Sequence, residues 1–392
     1  MEKPVPWSEL PTELWSMIGR KLDTDMDICR FRSVCSSWRS SIPPVPEFEV
    51  GMDGPFVDQS TVYLLEPPPT SPRDSQCPPS REGWLIKIAN EEYLSGRGRV
   101  RLINPLSSRP ISFKDGTFPK YLCTMDYRVT EIFVERYLVG DYGGSLPRPV
   151  RKLTMLPDSP WADVKDTLLI GIFGEGKLWC WKHGDDDEDW NALDNSNCQY
   201  DDLIAYKGQF YVVDRFGIVS WIDPSFKIVQ FSPPVCGDSN GGDRKYLVES
   251  GGDLYVVDRY FDEESRSSGI PAGAVRKAAG FKVHRLNQEW GKWDEVRNLG
   301  DVALFLGKHS CFSVSVKGFG GCKGNCIYFT NREGKVKVFN MEDRSIKRAS
   351  YSPDYLRILW PPPAWIAPDG FVLSHDDSLD EADVLVDSEE SL

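Results

Sequence analysis

No apolar run of 18 residues occurs anywhere in this 392-residue chain, and its first residues lack the basic-then-apolar pattern of a secretory leader. Membrane spanning and secretion are therefore not expected. Histidine is scarce, with only His183, His284, His309 and His375. Cys322 and Cys326 form the single close cysteine pair of the large region, and no second pair or histidine set completes a zinc tetrad, so the expected metal set is none. The glycine-rich stretches at Lys207-Gly208 and at residues 320–324 do not end in Gly-Lys-Ser/Thr at a strand-to-helix junction, which excludes a phosphate-cradling loop of that kind. There is no Gly-x-Ser-x-Gly elbow; Ser310 beside His309 is a sequence neighbour rather than a triad. Asp201-Asp202 reads as turn chemistry at a strand mouth rather than as a hydrolytic carboxylate pair. No catalytic residue and no cofactor are expected. The 46 Lys and Arg are outnumbered by 59 Asp and Glu, giving a net charge of −13 without a basic stripe, a poor basis for nucleic-acid binding. The ten cysteines follow no regular framework, and free thiols in a reducing nuclear or cytoplasmic compartment are the expectation.

The acidity is unevenly spread. Asp369, Asp376, Asp377, Asp380, Glu381, Asp383, Asp387, Glu389 and Glu390 supply −9 of the −13, with no Lys or Arg among them, so residues 369–392 read as a solvated disordered tail. A second acidic run at Asp185–Asp189 has the look of a loop tip. Residues 44–82, rich in Pro, Ser and Gly, read as linker and loops. They separate a small unit at 5–43 from a large one at 83–368.

In the small unit Pro11 suits a helix start, where its missing N–H costs nothing. Leu14, Ile18 and Leu22 follow on one helical face. A second helix opens at Asp25 or Asp27, either a competent N-cap. Its apolar residues Ile28, Phe31, Cys35, Trp38 and Ile42 are spaced 3, 4, 3 and 4, and Pro43, Pro44 and Pro46 end it. Two short amphipathic helices cannot bury all their apolar surface on each other, which predicts a docking face for a partner's helices.

In the large unit the periodicity changes to two. A signature Gly-x-Val-x-Φ-Φ-Asn/Asp, with Φ apolar, recurs at 98–104, 217–223 and 334–340, with Phe for Gly at 281–287 and a looser copy at 176–182. The segment before it also recurs, at 210–215, 254–259 and 327–332. Each unit reads as a strand, a tight turn and a second strand. The wide gap between 98 and 176 leaves room for a further unit around 131–139. Spacing of this order between all-β units predicts a β-propeller of about six blades, favoured over a sandwich because ring closure removes exposed edges. Trp179 and Trp181, alternating on one strand face, and Trp290 and Trp293 could line a central site, but blade-to-blade packing is the more economical use of them. The fold class expected is mainly β with a small α-helical N-terminal unit.

Leu10-Pro11, Leu14, Ile18, Leu22, Asp27-Ile28, Phe31-Arg32, Val34-Cys35 and Trp38-Arg39 resemble the F-box, the adaptor-binding motif of cullin-RING ubiquitin ligases, over about 35 residues. The resemblance implies that Trp7, Leu10, Pro11, Leu14, Ile18, Val34, Cys35 and Trp38 contribute to the interface with a Skp-type adaptor or to its supporting core. Residues 166–173, 200–214, 246–250, 299–307 and 321–330 resemble, in order, plant F-box proteins whose C-terminal propeller-like domain has long been catalogued as of unknown function. The function implied is a non-catalytic substrate-recognition subunit of an SCF-type E3 ubiquitin ligase. It would join an unknown protein substrate to adaptor, cullin and RING subunit, with no nucleic acid or membrane involved. Adaptor binding without degradation, for sequestration or transcriptional control, and a ligand- or glycan-binding propeller are the alternatives. The second would need a charged cluster at the ring centre, which the repeats do not supply. Within the propeller, residues 261–279 and 185–189 are the expected substrate loops.

Overall fold

The computed structural model describes residues 7, 10–44, 57–66, 81–90, 100–108, 110, 127–138, 149–161, 164–183, 190–193, 199–235, 242, 244–261, 278–287, 291–317, 319–320, 322–331, 334–348 and 357–359. Residues 185–189, Trp290, the acidic tail and nearly all of the 261–279 insertion lie outside them.

Three helices, not two, form the small unit: α1 (Thr12–Gly19), α2 (Asp25–Ser33) and α3 (Ser36–Ser41). Pro11 starts α1 as expected. The N-cap of α2 is Thr24 rather than Asp25 or Asp27, because its hydroxyl accepts the Asp27 N–H at 3.1 Å. The expected second helix is broken at Cys35, which is fully extended (φ −162°, ψ 176°). The break folds α3 back, so that the Trp38 ring packs at a tilt on Phe31 with ring centroids 4.5 Å apart. The Arg32 guanidinium, donating to the carbonyls of Arg39 and Ile42, fastens the return. Trp15, Ile28, Phe31 and Ile42 are the buried core of the unit.

The strands form blades around one centre, and among the described residues there are five, one fewer than expected. An eight-stranded sheet divides into two groups of four where Arg128–Leu138 meets Val150–Leu156 through a single register pair, Arg136 with Leu153. Blade 1 runs outward from Arg128–Leu138 through Val57–Glu66 and Trp84–Asn90 to Val100–Ile103. Blade 2 comprises Val150–Leu156, Leu168–Phe173, Lys177–Lys182 and Asn191–Ala192. Blade 3 comprises Tyr200–Tyr206, Gln209–Asp214, Val219–Ile222 and Ile228–Gln230, and blade 4 Arg244–Ser250, Asp253–Phe261, Ala278–Asn287 and Lys292–Val296. Blade 5 runs Cys311–Ser315, Val302–Leu306, Cys326–Thr330, Val336–Asn340 and Ile346–Arg348. The innermost strands contact one another in the order of blades 1 to 5, and blade 5 returns to blade 1. The segment at 131–139 does not found a sixth blade: it is the innermost strand of blade 1, paired along Val57–Glu66.

That pairing also corrects the domain boundary. Residues 57–66, expected within linker and loops, are a strand carrying Val62 and Leu65 at no solvent exposure, and Arg81–Glu82 pairs in parallel with Phe319–Gly320 in a two-stranded sheet of their own. The many Pro and Ser residues nearby masked a ten-residue strand.

Local chemistry explains the repeats. In three of the signatures the terminal Asn or Asp accepts backbone N–H groups of the turn that follows: Asn104 from Leu106 and Ser107, Asp223 from Ser225 and Lys227, Asn340 from Glu342. The first two strands of blade 4 join through Gly251-Gly252, with φ of +60° and +84°, the left-handed pair that a two-residue hairpin turn requires. Every junction between neighbouring blades carries a buried apolar cluster. At the blade 5–blade 1 junction Tyr328, Phe305, Phe312 and Phe133 stack in a row, with centroid spacings of 4.8, 5.1 and 6.0 Å. Trp181 is buried between blades 1 and 2. Trp293 packs between blades 3 and 4 and donates its indole N–H to the Pro233 carbonyl at 2.9 Å. These tryptophans serve packing. Cys322 and Cys326 are buried in the apolar blade 5–blade 1 junction, and burial pushes their thiols up to about 12 and about 11.

Candidate functional site

The core of the helical unit is complete, yet much of its apolar surface faces outward. Trp7 is 59% exposed, Leu14 42%, Met17 65%, Ile18 39% and Val34 59%, and Pro11 and Cys35 are exposed beside them. Leu10 and Trp38 are half-buried, packed on Trp15, Ile28, Phe31 and Ile42 as supports from beneath. The Trp15 indole N–H donates to the Trp7 carbonyl at 3.3 Å, tying the approach segment to α1. Of the eight residues expected at the interface, six are thus surface and two are support. Met17 was missed because the reading followed the i, i+4 ladder of Leu14 and Ile18, although it lies at i+3 from Leu14 on the same side.

The other side of the unit sits on the propeller. Met26 packs with Tyr63, Ile88 and Tyr127 against the buried cluster of blade 1 that includes Trp84. The Arg30 guanidinium donates to the Val129 carbonyl. Trp161, in the turn between the first two strands of blade 2, joins the helical core and donates to the Leu22 carbonyl at 3.0 Å. A carboxyl pair lies in the same contact: burial, then the charge of Asp25, pushes Glu131 up to about 7, against a weaker opposing hydrogen bond from the Met26 backbone. Burial also raises Asp25.

The ring centre holds charge that no repeat announced. Lys87 is buried and bound to Glu135 at 2.5 Å, and Ser310 donates to the same carboxylate, linking blade 1 to the turn that precedes the innermost strand of blade 5. Lys152 of blade 2 meets Asp202 of blade 3 at 2.5 Å. The other oxygen of Asp202 accepts the Leu247 N–H of blade 4 at 2.8 Å, and Asp201 accepts the Lys245 N–H at 3.0 Å. The two aspartates are therefore clasps between blades, on an innermost strand with a register shift at this point, and not turn residues as expected. Single-strand periodicity could not reveal them, since their partners lie some 45 residues away in sequence.

The helical unit thus presents an apolar face on one side and rests on the propeller with the other. The profile of the KIB1-4 beta-propeller family matches residues 55–340. An F-box protein of Arabidopsis thaliana is 33% identical over 358 residues, covering 86% of this chain and 92% of its own length. A second F-box protein of that plant is 29% identical over 354 residues, covering 86% of this chain and 99% of its own length. The F-box protein SKIP23, also from Arabidopsis thaliana, is 30% identical over 408 residues and covers 92% and 96%. The chain belongs to the KIB1-4 beta-propeller family and is a plant-type F-box protein. The matched segment begins at residue 55, in accord with the strand at Val57–Glu66.

Proposed function

We propose that this protein is the non-catalytic substrate receptor of an SCF-type cullin-RING ubiquitin ligase in the nucleus or cytoplasm, holding a Skp-type adaptor through the helical unit and a protein substrate on the propeller. The carrying observation is the outward apolar set Trp7, Leu14, Met17, Ile18 and Val34 on a unit whose own core is already filled. Aliphatic and aromatic groups left in water on a rigid scaffold are what a partner's helices would cover. The contribution to ubiquitination is proximity: a substrate lysine held near the charged E2 reacts at a raised effective concentration, with no bond chemistry in this chain. Docking of the helices on blades 1 and 2 favours a fixed geometry between adaptor and substrate. The test is binding of the purified full chain to a purified Skp-type adaptor. Leu14→Asp with Ile18→Asp places two charges in the apolar face and should abolish the complex while the propeller melts as before. Undiminished binding would refute the proposal.

A further inference from the structure

The mouth of the propeller gathers cations from three blades around one small pocket. Blade 2 supplies Arg151 and Lys152, blade 4 supplies Arg244, and the turn before the innermost strand of blade 5 supplies Lys308. Asp201 and Asp202 of blade 3 are the acids present. The acids are already engaged, Asp202 by Lys152 and the Leu247 N–H and Asp201 by the Lys245 N–H. Arg151, Arg244 and Lys308 form no ion pair among the described residues. We propose that this mouth is a binding site for a phosphate monoester or a comparable dianion.

Charge balance argues for a dianion. Four cationic side chains against two carboxylates leave the lining at +2, within a chain of net charge −13. A phosphate monoester carries roughly −1.5 to −2 at neutral pH, so it would neutralise the excess where a single carboxylate would not. Two arginines offer planar forks that match phosphate oxygens, and Arg244 is already held with its guanidinium over the Tyr246 ring, 5.1 Å from its centroid.

The site is also built in advance. His309 Nδ1 lies 2.6 Å from the Arg151 carbonyl, to which it donates, fixing the blade 5 turn to blade 2 across the mouth. The Gly307 N–H closes that turn on the Ser310 carbonyl at 2.8 Å. A Cβ at Gly307 would stand 2.9 Å from the Leu106 carbonyl oxygen and 3.0 Å from that of Ser310, so the approach needs glycine. Ser310 is anchored in turn on Glu135. The backbone that carries Lys308 and Arg151 is thereby fixed before any ligand arrives, which lowers the ordering cost of binding.

The proposal does not depend on adaptor binding. The phosphate could belong to a phosphorylated segment of a protein or to a small molecule, and the test separates the two. The full chain is titrated calorimetrically, at constant ionic strength in chloride, with inorganic phosphate, O-phosphoserine, a blocked phosphoserine peptide and its unphosphorylated twin. Saturable binding of the phosphate-bearing probes is expected, weakened about tenfold or more by Arg151→Gln with Lys308→Gln and separately by Arg244→Gln. Arg151 and Lys308 are exposed, so the double variant should melt with the parent. Tighter binding of the phosphopeptide than of inorganic phosphate would assign the site to a modified protein segment, and equal binding to a small phosphate. Absence of binding by every phosphate probe, equal binding of the two peptides, or affinities untouched by both sets of substitutions would overturn the proposal.

Discussion

The helical unit and the propeller use apolar residues to opposite ends. In the propeller nearly every large apolar side chain finds a neighbouring blade, and only Phe216 and Val229 stand exposed among the described residues. The helical unit, a tenth of the chain, exposes Trp7, Leu14, Met17, Ile18 and Val34. Both obey the same burial energetics, about 25 cal/mol for each Å² of apolar surface removed from water. The ring satisfies that drive internally by closing, whereas three short helices with four core residues cannot. Closure makes a scaffold, and its lack leaves a face for a partner.

The largest effect that would break this contrast is loss of the ring itself. A chain beginning at residue 83 lacks Val57–Glu66, the strand between the innermost strand of blade 1 and Trp84–Asn90. It should show no cooperative melt by circular dichroism, whereas one beginning at residue 55 should retain it. A cooperative melt in both would show blade 1 to be dispensable. Next in size is Lys87→Ala, which strands the Glu135 carboxylate in a buried site. Breaking such a pair typically costs about 3–5 kcal/mol, and a calorimetric melting temperature equal to the parent's would contradict its role in closure.

Changes on the helical face should split the two regions cleanly. Met17→Ala removes the most exposed apolar residue of the described helices and should weaken adaptor binding by roughly tenfold, the effect of losing an anchor worth about 1–2 kcal/mol. The melting temperature should stay within a degree or so, as surface substitutions usually allow. A fall in stability with unchanged binding would turn the contrast around.

The smallest effect sharpens the contact between the regions. The folded Glu131 carboxyl keeps its proton up to about pH 7, while the ordinary value is 4.5. Between those values the folded state binds more protons than the unfolded one. The stabilisation is therefore complete below pH 4.5 and is lost as pH rises through 7. Glu131→Gln, which cannot ionise, should match the parent near pH 5 and melt a few degrees above it at pH 8. Equal melting at both values would place Glu131 in water.

Much of this was legible in the residues. The helical face could be read because Pro11, Leu14, Ile18 and Trp38 act within one or two turns of chain, where periodicity is informative. The propeller was legible for the same reason, since the turns after Asn104, Asp223 and Asn340 are each closed by that local side chain. What escaped depends on distance in sequence. The strand at 57–66 acquires its place from Arg128–Leu138, and the clasps Lys152–Asp202 and Lys87–Glu135 join residues about 50 apart. The break at Cys35 escaped because α3 folds back for packing reasons that helical spacing does not encode.

The seam between blades 5 and 1 also sets an order of events during synthesis. No blade's own sheet spans it: it is joined by the separate two-stranded sheet of Arg81–Glu82 and Phe319–Gly320, by the aromatic row, and by Ile358 and Leu359, both fully buried against blade 1 and blade 5 residues. Domains tend to fold from the N-terminus as the chain emerges. The helical unit has its described contacts once Trp161 has left the ribosome, but the seam has no complete core until Leu359 follows. An emerging chain thus completes its helical unit, with the outward apolar face, well before its ring can close.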